Sequence, residues 1–186
     1  GHIVDSLLGM GVTDLIPIVG YKGDLIREYL SATYKVPITF VEQTEQKGIA
    51  HAVSLAREYA DASELIIILG DTIIKTDFAR IPKAGGCVLG VREVADPTRF
   101  GICEVEKGIV RKIVEKPEHP KGNLALIGLY YFKNSAPLFK ACGEIVERNV
   151  MTKVEYQITD ALQLMIDGGT EFHPYHIDGW YDCCKV

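Results

Sequence analysis

Hydrophobic positions along the chain recur at two spacings, one typical of amphipathic helices and one typical of short buried strands. The segments of the first third alternate in the order helix (3–10), strand (15–19), helix (25–30), strand (38–41), helix (49–59) and strand (64–69). Glycines and turn residues separate these segments. Strand-length and helix-length segments in this order predict a mostly parallel sheet with helices on both faces.

The pattern changes after residue 71, where strand-like runs follow one another directly. Strands are predicted at 87–91, 101–106, 109–115 and 124–132, helices at 136–147 and 155–166, and a last strand at 172–177. Glycine or proline stands between the consecutive strands, which favours β-hairpins. The chain is therefore predicted to be one α/β domain in which hairpins extend the sheet and form one wall of a cleft.

The composition is that of a globular protein, since 47% of the 186 residues are hydrophobic and 24% are charged. The net charge is −5, and no stretch is rich in Lys and Arg. Nucleic-acid binding depends mainly on clustered cations that neutralise phosphates, so this charge pattern argues against a nucleic-acid partner. A small anionic ligand stays compatible with it, because such a ligand needs only one or two cations and a metal ion.

The sequence also carries signals about location. No apolar run approaches the roughly 18 residues that a membrane span needs, and no signal peptide is visible. Zinc-site spacing is absent among the five cysteines, which are Cys87, Cys103, Cys142, Cys183 and Cys184. The expectation is a cytoplasmic protein with reduced, largely buried thiols and no membrane partner.

Two aspartates are candidates for a metal site. Asp71 directly follows the predicted strand 64–69, and ligands of open α/β sheets bind beyond the carboxyl ends of the strands. Asp182 would meet Asp71 if the last segment returns to the sheet. Mg²⁺ prefers one or two carboxylates together with phosphate oxygens. Taken alone, each aspartate is more commonly a turn residue or a solvated side chain.

Two other segments carry groups suited to a phosphorylated ligand. Glu115 and Lys116 end a predicted strand before a proline, which favours extended geometry for Lys116 and a side chain directed away from Glu115. Without further context, this pair is more commonly a solvated strand end. Gln43 precedes a loop in which Gly48 opens a predicted helix, where free N–H groups favour anions. His51, on that helix, is interpreted as a helix-face residue, because no paired nucleophile is evident.

The order of the segments is more specific than any one of them. The relevant segments, in chain order, are Gln43 with Gly48-Ile49-Ala50-His51-Ala52-Val53, Leu69-Gly70-Asp71, Asp96-Pro97-Thr98-Arg99-Phe100-Gly101, Glu115-Lys116-Pro117, Asn123-Leu124-Ala125-Leu126-Ile127-Gly128-Leu129-Tyr130, Gln157-Ile158-Thr159-Asp160-Ala161 and Trp180-Tyr181-Asp182. This order resembles that of the sugar-1-phosphate nucleotidyltransferases, or nucleoside-diphosphate-sugar pyrophosphorylases. The glucose-1-phosphate thymidylyltransferases and uridylyltransferases are the most similar branch, and the resemblance covers essentially the whole chain.

The resemblance implies a Rossmann-like α/β domain with an inserted β-rich sugar-binding region. The reaction it implies transfers a nucleotidyl group from dTTP or UTP to a sugar 1-phosphate, with glucose 1-phosphate the expected acceptor, and releases pyrophosphate. Mg²⁺ is the implied cofactor, and a homo-oligomer, dimer or tetramer, is the implied assembly. By position, the resemblance assigns metal binding to Asp71 and Asp182 and catalysis to Asp71 and Lys116. It assigns contacts with the nucleobase to Gln43 and Gly48, and phosphate binding to Lys116 and Lys153. For the sugar, it implies a backbone contact at Gly101, hydroxyl recognition by Glu115 and a pocket wall formed by Leu126 and Gly128.

Three departures from the family pattern are visible. The family's opening strand, with its Gly-rich loop carrying an Arg and then a Lys, is absent, since Gly1 falls inside what would be the following helix. Thr72 replaces a frequent Asn, and Cys183-Cys184-Lys185 replaces a pattern with Gly at its second position. The expectation is one catalytic domain over residues 1–186, truncated at both ends, which lacks a central strand between 15–19 and 64–69.

Two alternatives accompany the enzyme hypothesis. The absent triphosphate loop allows a non-catalytic sugar-phosphate-binding or regulatory subunit of the same fold. A glycosyltransferase of related architecture is disfavoured, because Asp71-Thr72-Ile73 lacks the second Asp of an Asp-x-Asp metal motif.

Overall fold

The computed structural model describes residues 1–183, which form six α-helices, three short 3₁₀-helices and ten strands. In chain order the α-helices and strands are α1 (His2–Gly9), β1 (Ile18–Val19), α2 (Gly23–Thr33), β2 (Val41–Glu42), α3 (Ile49–Leu55), α4 (Arg57–Ala60), β3 (Leu65–Ile68), β4 (Thr72–Lys75), β5 (Cys87–Glu93), β6 (Gly101–Glu106), β7 (Ile109–Glu115), β8 (Leu124–Phe132), α5 (Ala136–Glu147), α6 (Ile158–Asp167), β9 (Phe172–His176) and β10 (Gly179–Asp182).

The main sheet has six strands in the order β3-β8-β5-β9-β7-β6. Strands β5 and β9 are parallel, whereas the pairs β3–β8, β8–β5, β9–β7 and β7–β6 are antiparallel. The sheet is therefore mixed, where the hydrophobic pattern predicts mostly parallel strands. For one of the antiparallel pairs the cause is local, since the tight turn at Lys107 and Gly108, both at positive φ, folds β6 and β7 into a hairpin.

Apolar side chains cover both faces of the main sheet. On one face, Phe132 of β8 packs in a cluster with residues of α3, α5 and α6, including Phe139 and Leu162. On the other face, Leu129 packs with Ile81 and its neighbours. Because successive residues of β8 point to opposite faces, this one strand supplies both clusters. The predicted α/β fold with helices flanking a sheet is thus what the chain forms.

Strand β3 lies at an edge of the main sheet and is half-buried along its length, although the sequence predicts a fully buried strand at 64–69. It pairs with β8 on one side, and no strand among residues 1–183 pairs with its other side.

Strand β1 forms a separate parallel pair with β2. The helix predicted at 49–59 is divided into α3 and α4, and the one predicted at 155–166 begins later, at Ile158.

Two short strands near the predicted metal ligands pair with each other. Strands β4 and β10, which the hydrophobic pattern misses, form an antiparallel pair of their own. Within the described residues the thiols of Cys87, Cys103, Cys142 and Cys183 are free, while Cys184 falls outside that part of the chain. None of the helices in residues 1–183 combines the length and hydropathy needed to cross a membrane.

Candidate active site

The pairing of β10 with β4 brings the two candidate metal ligands to neighbouring positions. Asp71 immediately precedes β4, and Asp182 is the register partner of Thr72, the next residue along. The backbone N–H of Cys183 donates a 2.8 Å hydrogen bond to the Asp71 carbonyl oxygen, which extends the pairing by one residue. The last described segment therefore returns to the chain beside Asp71, as the metal hypothesis requires.

A second pair of contacts fixes β10 against the segment that leads into β6. The Trp180 indole N–H donates a 2.6 Å hydrogen bond to Thr72 Oγ1, and the Trp180 ring meets Phe100 edge-on at 5.4 Å between centroids. The Arg99 guanidinium donates to Asp182 Oδ2 at 3.2 Å. Residues 99 and 100 thus place a cation on a candidate metal ligand and hold the start of β6, at Gly101, close to β10.

Gly101 lies beside two other predicted site residues, Glu115 and Leu126. In the β6–β7 ladder it is the register partner of Glu115. A Cβ atom at this position would lie 2.6 Å from Thr159 Cγ2, 3.2 Å from Glu115 Oε2 and 3.4 Å from Leu126 Cδ1. No side chain fits at 2.6 Å, so glycine is required for the backbone to approach this cluster.

Glu115 is the most buried of the candidate charged groups, with only 9% of its side chain exposed. Thr159 Oγ1 donates a 2.9 Å hydrogen bond to its Oε2, and Lys116 Nζ lies 3.7 Å from its Oε1. Burial raises the pKa of the Glu115 carboxyl; the Thr159 hydrogen bond and the Lys116 charge partly oppose this shift, and the Asp160 charge adds to it. The structure therefore presents a desolvated carboxylate that accepts hydrogen bonds.

Lys116 does not adopt the geometry that the sequence predicts. Its φ is +40°, in the left-handed region, and its ammonium approaches Glu115, whereas an extended backbone would direct it away. Its backbone N–H donates a 3.0 Å hydrogen bond to the Phe100 carbonyl oxygen, which continues the β6–β7 ladder past the end of the strand. This hydrogen bond and the partly buried anion beside it outweigh the extended preference of a residue before proline.

Lys153 approaches the segment that follows β7. Its Nζ lies 3.8 Å from Glu118 Oε1, three residues beyond Glu115. It occupies a tight turn closed by mutual backbone hydrogen bonds between Thr152 and Glu155, with φ +53° at Lys153 and +67° at Val154. A β-branched residue at positive φ is strained, and such strain is common at ligand-binding sites.

The predicted base-contacting residues form a compact unit before α3. Gln43 Nε2 donates to the Gly48 carbonyl oxygen at 3.1 Å and lies 3.0 Å from His51 Nδ1. Gly48 has φ +104°, and a Cβ there would lie 2.5 Å from the Tyr156 carbonyl oxygen. The loop can dock this closely only with glycine, and two backbone hydrogen bonds secure it, from Ala50 N–H to Tyr156 O (3.0 Å) and from Tyr156 N–H to Lys47 O (2.9 Å).

Gly128 connects the predicted sugar pocket to Asp71. It lies at φ +80° in an irregular part of β8, where a Cβ would come within 2.9 Å of Leu69 Cγ. The Leu69 N–H donates a 2.9 Å hydrogen bond to the Gly128 carbonyl oxygen, two residues before Asp71. Tyr130, further along β8, has its pKa raised mainly by burial and additionally by the negative charges of Glu115 and Asp71.

The nine residues 152–160 link the parts of the site that the sequence treats separately. They include the Lys153 turn, the Tyr156 backbone that holds the Gly48 loop, and the Thr159 hydroxyl on Glu115. The motif at 157–161 belongs to the recognised pattern, but the sequence assigns no role to Thr159 or Tyr156. Two surface depressions have linings that include none of the predicted site residues. One, of about 630 Å³, is lined by residues of α3 and α4 such as Arg57 and Tyr59, and the other, of about 180 Å³, by residues such as Glu104, Lys112 and His119.

The fold defines an α/β protein whose candidate site carries carboxylates, lysines and closely packed glycines, and comparison with known proteins gives its family. The chain belongs to the nucleotidyl transferase family, whose model matches residues 1–186. The family and the enzyme class inferred from the sequence motifs are thereby confirmed.

Three relatives to which the chain is similar are named as nucleotidyltransferases, two of them acting on glucose 1-phosphate. UTP–glucose-1-phosphate uridylyltransferase AglF of Haloferax volcanii is 32% identical over 188 residues, which cover 96% of this chain and 75% of the relative. The low-salt glycan biosynthesis nucleotidyltransferase Agl11 of the same organism is 33% identical (97% and 52% covered), and a glucose-1-phosphate thymidylyltransferase of Streptomyces antibioticus is 31% identical (98% and 53%). The chain thus spans three quarters of the first relative and about half of the other two.

Solved structures agree with this placement. A Bacillus anthracis crystal structure described as a glucose-1-phosphate thymidylyltransferase, in complex with a sucrose, superposes with a TM-score of 0.83 at 25% identity, covering 97% of this chain and 75% of that one. A UDP-glucose pyrophosphorylase complexed with UDP-glucose gives a TM-score of 0.78 at 22% identity and shares the fold, covering 100% and 81%.

Proposed function

We propose that the protein joins a nucleoside triphosphate, UTP or dTTP, to a sugar 1-phosphate and forms an NDP-sugar and pyrophosphate. The observation that carries the proposal is that β10 sets Asp182 beside Asp71 and is joined, through the Arg99–Asp182 and Phe100–Trp180 contacts, to Gly101 and its register partner Glu115. Family membership and the names of the relatives give the same reaction class.

The chemistry requires positioning and charge neutralisation rather than a protein nucleophile. A sugar-phosphate oxygen forms a bond to the α-phosphorus in line, and the bond from that phosphorus to the bridging oxygen breaks as pyrophosphate leaves. Negative charge is spread over phosphoryl oxygens throughout, so correctly placed cations supply most of the acceleration. Lys116 is proposed to neutralise the sugar phosphate, and Lys153 approaches the same strand end through its contact with Glu118.

Glu115 is proposed to select the sugar. Its buried Oε2 is already held by Thr159, so the carboxylate is fixed before a ligand binds and can accept hydrogen bonds from sugar hydroxyls. The backbone at Gly101 and the side chain of Leu126 complete the wall beside it. On the other side, Gln43 and Gly48 are proposed to contact the nucleobase.

The donor set at the β4–β10 pair fits Mg²⁺. Two hard carboxylates, Asp71 and Asp182, lie at neighbouring positions, and this ion commonly uses one or two carboxylates together with phosphate oxygens. When bound there, the ion would neutralise charge on the triphosphate. Among residues 1–183 no group of three His, Cys, Asp or Glu side chains gathers.

Substitution of the two aspartates tests the proposal. Asp71→Asn and Asp182→Asn in the full-length protein should each lower turnover at least about a hundredfold at fixed Mg²⁺, because the carboxylate charge is lost. Asp24→Asn, an exposed position on α2, is the matched control and should leave turnover unchanged. Wild-type turnover in Asp71→Asn would refute the metal assignment, and pyrophosphate release by no variant, wild type included, would favour the non-catalytic subunit.

Domain organisation and assembly are part of the same proposal. We place residues 1–186 in a single catalytic domain. The edge of β3 that no strand within residues 1–183 pairs with, together with the separate β1–β2 pair, fits a further strand between them. The homo-oligomer implied by the family resemblance stays a prediction, which light scattering of the purified full-length protein would test.

A further inference from the structure

The amide of Gln43 has a fixed orientation, which the Gly48 carbonyl group determines. A carbonyl oxygen only accepts hydrogen bonds, so the atom 3.1 Å from it must be the amide nitrogen, Nε2. The same carbonyl oxygen also accepts the Ala52 backbone N–H at 3.1 Å, so both of its lone pairs are used. The Gln43 amide nitrogen therefore faces the loop, and Oε1 faces the opposite way.

The second N–H of the Gln43 amide determines which ring nitrogen of His51 accepts a hydrogen bond. Nε2 lies 3.0 Å from His51 Nδ1, and since it has only donors to offer, Nδ1 must accept. The ring proton of a neutral His51 then resides on Nε2. The ring is held where it can do this, because His51 lies in the first turn of α3 and its ring packs against Tyr156 at 6.4 Å between centroids.

Both donors of Gln43 are thus used inside the protein, and its acceptor is left for a ligand. Within residues 1–183 no donor contacts Gln43 Oε1, and the side chain is only partly buried. A pyrimidine that brings a ring N–H to this oxygen, as uracil and thymine do at N3, makes a hydrogen bond. Cytosine in the same pose brings a lone pair at N3, so two acceptors would face each other.

We propose that His51 is a positioning residue for base selection: by accepting from Gln43 Nε2, it holds the amide with its oxygen towards the nucleobase. The inference rests on the proposed function, in which Gln43 contacts the base, and it adds a role for a residue that the sequence analysis interprets as part of a helix face. Without the His51 acceptor, one hydrogen bond to Gly48 alone opposes rotation of the amide, and the rotated amide presents its nitrogen to the base.

Two substitutions at position 51 separate orientation from packing. His51→Leu removes the acceptor and puts an apolar side chain of similar size in its place. His51→Asn is the matched rescue, because its Oδ1 occupies nearly the place of Nδ1 and can accept the same hydrogen bond. Steady-state kinetics of the full-length protein would give kcat/KM for UTP, dTTP and CTP at saturating glucose 1-phosphate, and KM for glucose 1-phosphate at saturating UTP.

The Leu variant should lose about three- to tenfold of its preference for UTP over CTP, the range expected for loss of one neutral hydrogen bond. The loss should come through KM for the nucleotide, with KM for glucose 1-phosphate unchanged, and the Asn variant should keep the wild-type preference. An unchanged preference in the Leu variant, or an equal loss in both variants, would overturn the proposal. If the wild type releases no pyrophosphate with any triphosphate, the proposed function itself fails.

A spectroscopic readout tests the orientation independently of turnover. Long-range ¹H–¹⁵N correlation spectra of the wild-type full-length protein at neutral pH should show His51 with an unprotonated Nδ1 and a protonated Nε2. The assignment is made by loss of that signal in His51→Asn. A protonated Nδ1 would contradict the proposal whether or not the enzyme is active, because Nδ1 could then not accept from Gln43.

Discussion

Thr159 donates a 2.9 Å hydrogen bond from its hydroxyl to Glu115 Oε2, and this contact joins the first turn of α6 to the end of β7. It places an oriented donor on a carboxylate that burial destabilises. We expect Thr159→Val, which removes the hydroxyl and keeps the shape, to lower the free energy of unfolding by about 1–3 kcal/mol, the cost of a buried polar group left without a partner. The measurement is urea unfolding at neutral pH.

The same variant should raise KM for the sugar phosphate, because Glu115 loses its fixed orientation. Thr33→Val, at an exposed position at the end of α2, is the control and should change neither quantity. A Thr159→Val protein as stable as the wild type, with an unchanged KM, would show that the contact does not hold the carboxylate.

Gly101→Ala should disturb both stability and sugar binding. The added Cβ would lie 2.6 Å from Thr159 Cγ2, so either α6 or the strand must shift, at a cost of about 1–3 kcal/mol for an overpacked site. Glu115 Oε2, 3.2 Å from the same atom, would move with it. Thermal unfolding and KM for glucose 1-phosphate are the measurements, and Gly122→Ala, with open space around its Cβ, should be neutral.

Stability should depend on pH through two carboxyl groups near α6. Burial raises the pKa of both Glu115 and Asp160, and Asp160 Oδ2 is buried without a hydrogen-bond partner in the described residues. A raised folded-state pKa means that the folded protein binds the proton more tightly than the unfolded chain. The resulting stabilisation is fully present below the unfolded-state pKa and is lost as pH rises through the raised value.

Asp160→Asn removes the charge that is costly at neutral pH. The variant should therefore gain stability relative to the wild type at pH 8, and the gain should shrink as the pH falls towards 4. Urea unfolding of both proteins across this range gives the comparison. A difference that is the same at every pH, or a variant that is less stable at pH 8, would mean that the Asp160 carboxylate is better solvated or better paired than the structure indicates.

Arg99 should compete with Mg²⁺ for Asp182. Its guanidinium lies 3.2 Å from Asp182 Oδ2, with 40% of the arginine side chain exposed. Partly exposed ion pairs contribute about 0.2–1 kcal/mol, so Arg99→Ala should lower the Mg²⁺ concentration for half-maximal activity by up to about fivefold. A Mg²⁺ titration at saturating substrates is the measurement. If the variant needs more Mg²⁺ than the wild type, Arg99 instead supports the metal-bound state.

Periodicity predicts the elements whose hydrophobic pattern is continuous. The bounds of β6, β7, β8 and α5 agree with those predicted, because each element buries a regular face against the core. Strands β4 and β10 are too short for such a pattern and exist through their pairing with each other, which is set by distant parts of the chain.

The site shows the same division between local and distant causes. Motif order predicts Asp71, Glu115 and Gln43 as site residues. The positive φ of Lys116, in contrast, accompanies a hydrogen bond to Phe100, just before β6, and an adjacent buried anion. The contact of His51 with Gln43 depends on a loop geometry that the Tyr156 backbone imposes. Such contacts become visible only once the tertiary structure places the segments together.

Pyrophosphate release by the full-length protein, with Mg²⁺, glucose 1-phosphate and each nucleoside triphosphate in turn, tests the central claim most directly. The account predicts release with UTP or dTTP, dependence on both Mg²⁺ and the sugar phosphate, and loss of release in Asp71→Asn. A folded protein that binds glucose 1-phosphate yet releases no pyrophosphate with any triphosphate would contradict it.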